Sequence, residues 1–367
     1  MEINDIELNN KLGNINKQIE EALKTSHDRL NQKIITATKE LKKKIGKKKF
    51  ENMKDFRDEP LIKLKLDSNY NYIVNPIMLM FANLKVITKF IYSKKSKEIL
   101  IGLNELGIEQ QNFIKYFIAL MLEMRDKNNI SQNFAPIHQY FHSYPIYKSQ
   151  EPYDWFKFIL EQIESNINLV DPNDINNIIT KNFSLILNNI EKCNVCFQYE
   201  KIISKEKVLV ANLTLFSQIP YTDELNNIFK NFLIGEKEES QTKHCPRCSS
   251  FLSLSKTLYK TSKYLVINLD RKKDPNKNMK LSFKENLKIA DDYEKKEYEY
   301  ELLSALTGIN INLSYVENMN KIVLFIKNYI KNVWYRLNEG KYVLINENIS
   351  EIIKDQNPNI LIYKRLK

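Results

Sequence analysis

The chain has 367 residues, 43% of them hydrophobic, with 20 Tyr and 18 Phe, enough for one large domain or two smaller ones. A net charge of +11 and a pI of about 9.1 suit an acidic partner such as nucleic acid, nucleoprotein or an acidic protein face, although a genome rich in Lys, Asn and Ile codons produces the same balance. Seven glycines without a GxxxxGK[ST] or GxGxxG run argue against a phosphate loop; the lack of any run of about 18 apolar residues argues against a transmembrane helix; and the acidic start Met1–Glu7 does not resemble a signal peptide.

Residues 1–58 read as a basic amphipathic helical extension. Ile15, Ile19, Leu23, Leu30, Ile34, Leu41 and Ile45 recur mostly at spacings of three, four or seven, which is one helix face. Its end carries Lys42, Lys43, Lys44, Lys47, Lys48 and Lys49 around Gly46, a natural helix stop. Two readings of that patch stand. It grips phosphates or an acidic surface, or it is a solvated helix end whose lysines complement the helix dipole.

Residues 60–160 read as helical. Pro76–Ile91 is one strongly apolar helix with Pro near its start, Asn112–Met124 a second, and Asp154–Ile163 a third with an acidic first turn. Their Met and aromatic content is most simply core packing. The Asn-rich stretch 166–182 reads as a polar connection or exposed helix. From about residue 183 short strands rich in β-branched and aromatic residues take over: Val208–Leu215, Tyr264–Leu269, Lys321–Ile326 and Asn359–Tyr363. A helical first half before a strand-rich second half is an α+β fold.

All four cysteines form one pattern, Cys193-Asn-Val-Cys196 and Cys245-Pro-Arg-Cys248. Two CxxC turns supply four thiolates to one tetrahedral Zn²⁺, and a closed Cys₄ site is structural because it leaves no position for substrate. The gap over residues 197–244 exceeds the about 15–20 residues of a compact finger, so a strand pair or two is expected inside it. His244 is surplus to four thiolates, and the alternative is four unligated thiols left from an ancestral site. His138 and His142 stand at i, i+4 with no obvious third ligand; they and His27 read as ordinary surface or core histidines. Paired CxxC motifs without other cysteines suit a reducing compartment, the nucleus or cytoplasm.

The order of helical half, CxxC, long gap, CxxC and strand-rich half resembles the ubiquitin-specific proteases (USPs), the USP-type cysteine deubiquitinases. Asn75–Lys89 resembles the helix after the nucleophile, and Ser149–Leu160 the box ahead of "EFL..LL". Tyr264–Arg271 resembles "LxIxLKRF", Leu281–Phe283 the "VxFP" strand, and Tyr300–Leu306 "YxLxAV". Phe325–Asn328, Trp334-Tyr335 and Asn359–Tyr363 resemble the "YxK", "WY" and "AYxLxY" endings. No single piece is specific; their order and spacing are. The resemblance implies a papain-type hand over residues 59–367, with a helical thumb at about 59–182 and zinc-bearing fingers plus β-rich palm at about 183–367.

Catalysis in such proteases needs a thiolate, a His base, an Asp or Asn that orients it, and oxyanion donors. On this chain the nucleophile position falls on Tyr72, a phenol with a pKa of about 10 and a poor acyl-transfer nucleophile. The oxyanion Asn position falls on Tyr70, the His position on Lys321, and the orienting position on Asn338. A shifted register through Gly102–Gly107 puts Gln110 at the nucleophile. In either register no cysteine precedes Cys193 and no histidine follows His244.

The expectation is therefore a pseudo-deubiquitinase, a non-catalytic scaffold or adaptor docked to protein subunits of a larger assembly. The basic charge suggests RNA or a ribonucleoprotein, spliceosomal or ribosomal. The inactive USP branch associated with splicing is similar in lacking the nucleophile, but differs in usually carrying an N-terminal zinc-finger domain and often lacking the CxxC pairs. The alternative is a non-cleaving ubiquitin reader in a chromatin-modifying or proteasome-associated complex, although Tyr70 and Tyr72 replace the small residues that admit a ubiquitin tail. No membrane partner is expected.

Overall fold

The computed structural model describes residues 73–106, 113–124, 135–145, 151–174, 177–214, 225–234, 239–270, 281, 284–291, 296–308, 322–328, 332–338 and 341–366. The 1–58 segment and its lysine patch lie outside them. The fold is α+β. Seven helices come first: α1 (Val74–Asn83), α2 (Lys85–Ile91), α3 (Lys94–Glu105), α4 (Phe113–Glu123), α5 (Ala135–His142), α6 (Pro152–Val170) and α7 (Ile178–Phe183). There follow β1 (Leu185–Cys193), β2 (Glu200–Val208), β3 (Ala211–Thr214), α8 (Leu225–Ile234), β4 (Glu239–His244), β5 (Phe251–Lys260), β6 (Tyr264–Asp270), β7 (Asn286–Asp291) and β8 (Lys296–Thr307). The last elements are β9 (Val323–Asn328), β10 (Val333–Asn338), β11 (Lys341–Ile345), α9 (Ile349–Asp355) and β12 (Pro358–Arg365).

The helical half packs around α1, which is buried from Val74 to Ala82. The single apolar helix expected over 76–91 is two. Leu84 is extended, with ψ of 117°, and α2 leaves α1 at 82°. The bend turns Leu84, Ile87, Phe90 and Ile91 back into the core that α1 already fills, which a straight continuation could not do. Among the described residues no single helix is long and apolar enough to cross a membrane; the bent α1–α2 pair passes a length test but is mostly buried in protein. Helix α6 starts on Pro152 with Asp154 in its first turn, as a helix N-terminus favours. Its Trp155, Phe156, Ile159, Leu160, Ile163 and Ile167 recur at helical spacing and are all buried. Phe156 stacks on Phe81 of α1 at 4.4 Å, and Trp155 meets Phe141 of α5 edge-on at 4.9 Å.

The Asn-rich stretch is not a plain polar connection. Asn166 and Asn182 are buried, and Asn177 caps α7 by accepting hydrogen bonds from the Ile179 and Thr180 amides at 3.0 and 2.9 Å.

Strands form two sheets. The larger has the order β11-β10-β9-β8-β12-β6-β3, with β7 also on β8; all its pairs are antiparallel except β3 with β6. The central strands β6, β9 and β12 are buried at most positions because both faces are covered. On β9, Leu324 and Ile326 join the helical core while Val323 and Phe325 join a second core that also holds α8 and α9; β12 and β6 alternate likewise. The smaller sheet has the order β2-β1-β5-β4. The run expected as one strand over 208–215 belongs to both sheets. Val208 ends β2, a bend at 209–210 follows, and β3 starts at Ala211 in the larger sheet.

Glu164 of α6 ties the helical half to the smaller sheet through Lys207 on β2, and Thr180 and Asn177 also donate to it. Burial works to raise its carboxyl, but these hydrogen bonds and the Lys207 charge outweigh it and hold the group below its ordinary value of 4.5. A carboxyl depressed in the folded state stabilises above its unfolded value, and that contribution is lost as pH falls through the folded value. Glu164→Gln therefore lowers stability at neutral pH by about 1–3 kcal/mol, and the gap to the parent closes in acid below 4.5. Urea denaturation at a series of pH values measures this.

Candidate metal centre

The four cysteines meet at the tip of the smaller sheet. Cys193 is the last residue of β1, and Cys245 and Cys248 lie between β4 and β5. Antiparallel pairing of β1 with β5 sets Cys193 opposite Leu252, so each knuckle reaches the tip on a paired strand. The gap between the CxxC pairs holds β2, β3, α8 and β4, strands as expected together with one helix that was not.

The two knuckles are built alike. Within the first, the Cys196 amide donates to Cys193 Sγ at 3.4 Å and the Cys193 amide to the Tyr199 carbonyl at 2.9 Å. Within the second, the Arg247 amide donates to Cys245 Sγ at 3.4 Å and the Cys245 amide to the Ser250 carbonyl at 2.7 Å. The residue after each second cysteine is left-handed, Phe197 with φ of 54° and Ser249 with φ of 61°. That turn brings the chain back to its strand, and it favours glycine. No glycine marks either position, so the sequence showed the CxxC turns by their cysteines and not by the left-handed residue that closes each one.

All four sulfurs lie within 4.8 Å of one another, with Cys193–Cys248 at 3.4 Å and Cys196–Cys245 at 3.7 Å. Four thiolates at about 2.3 Å from one tetrahedral zinc stand about 3.8 Å apart. The residues fit the metal, and bound zinc would cross-link the two knuckles. His244 packs its ring, tilted, against Phe251 at 4.6 Å and is not in the cluster. Hydrogen bonding from the Cys196 amide holds the Cys193 thiol below its ordinary range. The Ser250 hydroxyl and amide pull Cys248 down to about 6. The Gln198 amide favours the Cys196 thiolate, but burial and the neighbouring thiols outweigh it and push that group up to about 11.

The positions compared with a catalytic cleft are largely not described: Tyr70, Tyr72, Gln110 and Lys321 lie outside the described residues. Helix α1 begins just after Tyr72 and packs on β8 and β9. Strand β9 begins two residues after Lys321, and β10 ends on Asn338. Leu324 pairs with Leu337, so the start of β9 and the end of β10 share one end of their hairpin. Asn75, from which the nucleophile position is counted, is buried with no hydrogen-bond partner for Oδ1. His142 is exposed at the end of α5, and His138 stands on the same helix.

The palm holds an ion cluster around a buried lysine. Lys327 of β9, 6% exposed, pairs with Glu301 at 2.8 Å and Glu285 at 3.3 Å. Trp334, opposite Lys327 on β10, donates its indole N–H to Glu285 at 3.4 Å. Burial, with the nearby Glu285 charge, raises the Tyr363 phenol far above its ordinary range. The two glutamates were not singled out from the sequence; their signal is a buried lysine that requires counter-charge.

A model of the ubiquitin carboxyl-terminal hydrolase family matches residues 8–363. The chain belongs to that family. No curated protein matches it. Among solved structures, the chain is similar to a SAGA DUB module of Ubp8, Sgf11, Sus1 and Sgf73 bound to monoubiquitin, with a TM-score of 0.66 and 17% identity over 84% of this chain and 71% of that one. A second such module, bound to ubiquitin aldehyde, has a TM-score of 0.62 and 16% identity over 85% and 71%. A yeast SAGA DUB module gives 0.61 and 16% over 85% and 70%. At these identities the likeness is one of fold, and it makes the helical half a USP thumb, the larger sheet the palm and the smaller sheet the fingers.

Thiol ligands must lose their protons to bind zinc, so affinity falls with pH. With Cys196 up at about 11, zinc uptake releases protons at neutral pH, and competition with a chelator shows weaker binding on going from about pH 8 to pH 6. Cys245→Ser abolishes stoichiometric zinc binding by elemental analysis while the far-UV circular dichroism of the palm persists, because the palm has its own cores.

Proposed function

We propose that this chain is a USP-fold scaffold or adaptor that docks in a multi-protein assembly and does not hydrolyse ubiquitin conjugates. One observation carries the reading. Every cysteine of the sequence sits in the four-sulfur cluster of the fingers, so no thiol is left for the start of α1, where the thiolate of a USP stands. Tyr72 in that position has too weak and too basic an oxygen for acyl transfer at neutral pH. Lys321 in place of the histidine cannot shuttle a proton near pH 7 without a strongly lowered pKa. Asn338 alone orients nothing.

The likeness to SAGA modules bound to ubiquitin supports a second reading for the host, a non-cleaving ubiquitin reader in a chromatin-modifying complex of the nucleus. A ribonucleoprotein host, spliceosomal or ribosomal, rests on the net charge of +11 and the Lys42–Lys49 patch, and a splicing-associated kinship rests on the absent nucleophile. Protein partners are common to both readings.

Hydrolysis of ubiquitin–aminomethylcoumarin tests the central part. The expected rate equals that of buffer, and turnover abolished by a thiol-alkylating reagent contradicts the proposal. Calorimetric titration with ubiquitin separates the two hosts further: saturable binding in the micromolar range favours the reader, and no heat favours the scaffold.

A further inference from the structure

We propose that the four-sulfur cluster is a peroxide-sensitive modification site in which Cys248 is oxidised first and is captured by Cys193, with release of the metal. The inference does not depend on whether the chain is a scaffold or a reader. It rests on an asymmetry among four residues that otherwise look equivalent. Cys248 is exposed, Cys196 is intermediate, and Cys193 and Cys245 are buried. The two buried sulfurs are the first cysteines of the knuckles, and each accepts an N–H bond from its own turn, from Cys196 and from Arg247. Burial keeps an oxidant away from both of them. Cys248 also meets hydrogen-bond donors, the Ser250 amide and the Ser250 hydroxyl at 3.4 Å, but it is exposed, and its sulfur is open to solvent.

The second observation is which sulfur waits beside it. Cys193 Sγ is 3.4 Å from Cys248 Sγ, and the other short pair is Cys196 with Cys245 at 3.7 Å. Both contacts cross between the knuckles. Shortening 3.4 Å to a disulfide bond of about 2.05 Å asks for a small movement of the turn that carries Cys248, while Cys193 stays on β1, paired with β5.

The chemistry balances with a hydroperoxide as oxidant. The Cys248 thiolate attacks one peroxide oxygen. The O–O bond breaks, sulfur is oxidised by two electrons to the sulfenic acid, and the departing hydroxide takes a proton to become water. Cys193 then attacks the sulfenic sulfur. An S–S bond forms, the S–O bond breaks, and the second hydroxide leaves as water with another proton. Two thiolates, one hydrogen peroxide and two protons thus give one disulfide and two waters. Two of the metal's four ligands are consumed, and zinc held by the remaining pair passes to solvent or a chelator. A dithiol reductant reverses the step by exchange and restores the site.

The test uses the full chain, loaded with zinc and checked for metal content. One equivalent of hydrogen peroxide is added with a chromogenic zinc chelator present, and the first disulfide is mapped by mass spectrometry of unreduced peptides. The expected result is loss of the zinc together with a Cys193–Cys248 disulfide, both reversed by dithiothreitol and added zinc. Cys248→Ser slows peroxide-driven release by about tenfold or more. Because that substitution removes a ligand, disulfide mapping in the unsubstituted chain is the deciding measurement. A first disulfide within one CxxC pair, retention of zinc at equimolar peroxide, or failure to take up zinc at all overturns the proposal.

Discussion

Four sulfurs brought within 4.8 Å of one another constrain this molecule more than any other contact. Among the described residues, the tip of the fingers sheet has a far smaller core than those flanking the palm: Cys193, Cys245 and Leu252 are buried together, with Cys196 and Tyr199 against them. A small cluster of that size cannot hold two long antiparallel ribbons by hydrophobic burial, and a tetrahedral metal would supply the missing cross-link. The same convergence bears on chemistry. A chain that spends its whole complement of cysteine on a structural tip keeps none for a nucleophile elsewhere.

The palm lies at the opposite extreme. Its strands are covered on both faces and held by two cores, so it stands without metal. The buried Lys327 is met there by counter-charge, in the Glu285 and Glu301 cluster roofed by Trp334. Removing one partner of such a cluster costs more than the cluster adds, because a desolvated charge is left behind. That accounts for the pairing of lysine and tryptophan across β9 and β10 even where no catalysis is proposed. Glu164 and Lys207 serve the same end between thumb and fingers.

Much of this was legible in the sequence, and the reasons differ by element. Tyr264–Leu269 and Asn359–Tyr363 read as strands because burial on both faces makes every position but Asn268 and Asn359 apolar. The CxxC spacing marked the metal ligands because thiolate pairs in tight turns have few other uses. What stayed hidden depended on contacts between distant residues. The break at Leu84 carries no Pro or Gly; it comes from the core that α2 must re-enter. Val208–Leu215 looks like one strand because a bend at two apolar residues, Leu209 and Val210, has no turn signature. The knuckle turns at Phe197 and Ser249 lack glycine, and Glu285 and Glu301 became visible as partners only once β9 placed Lys327 between them.

The central claim is that zinc holds every thiol of the chain, leaving none to act as a nucleophile. The most direct measurement counts thiols. Native zinc-loaded protein is treated with a colorimetric disulfide reagent, and the titration is repeated after chelation in denaturant. The account predicts no rapidly reacting thiol in the first titration and all four cysteines in the second. A thiol that reacts at once while zinc remains fully bound would contradict it.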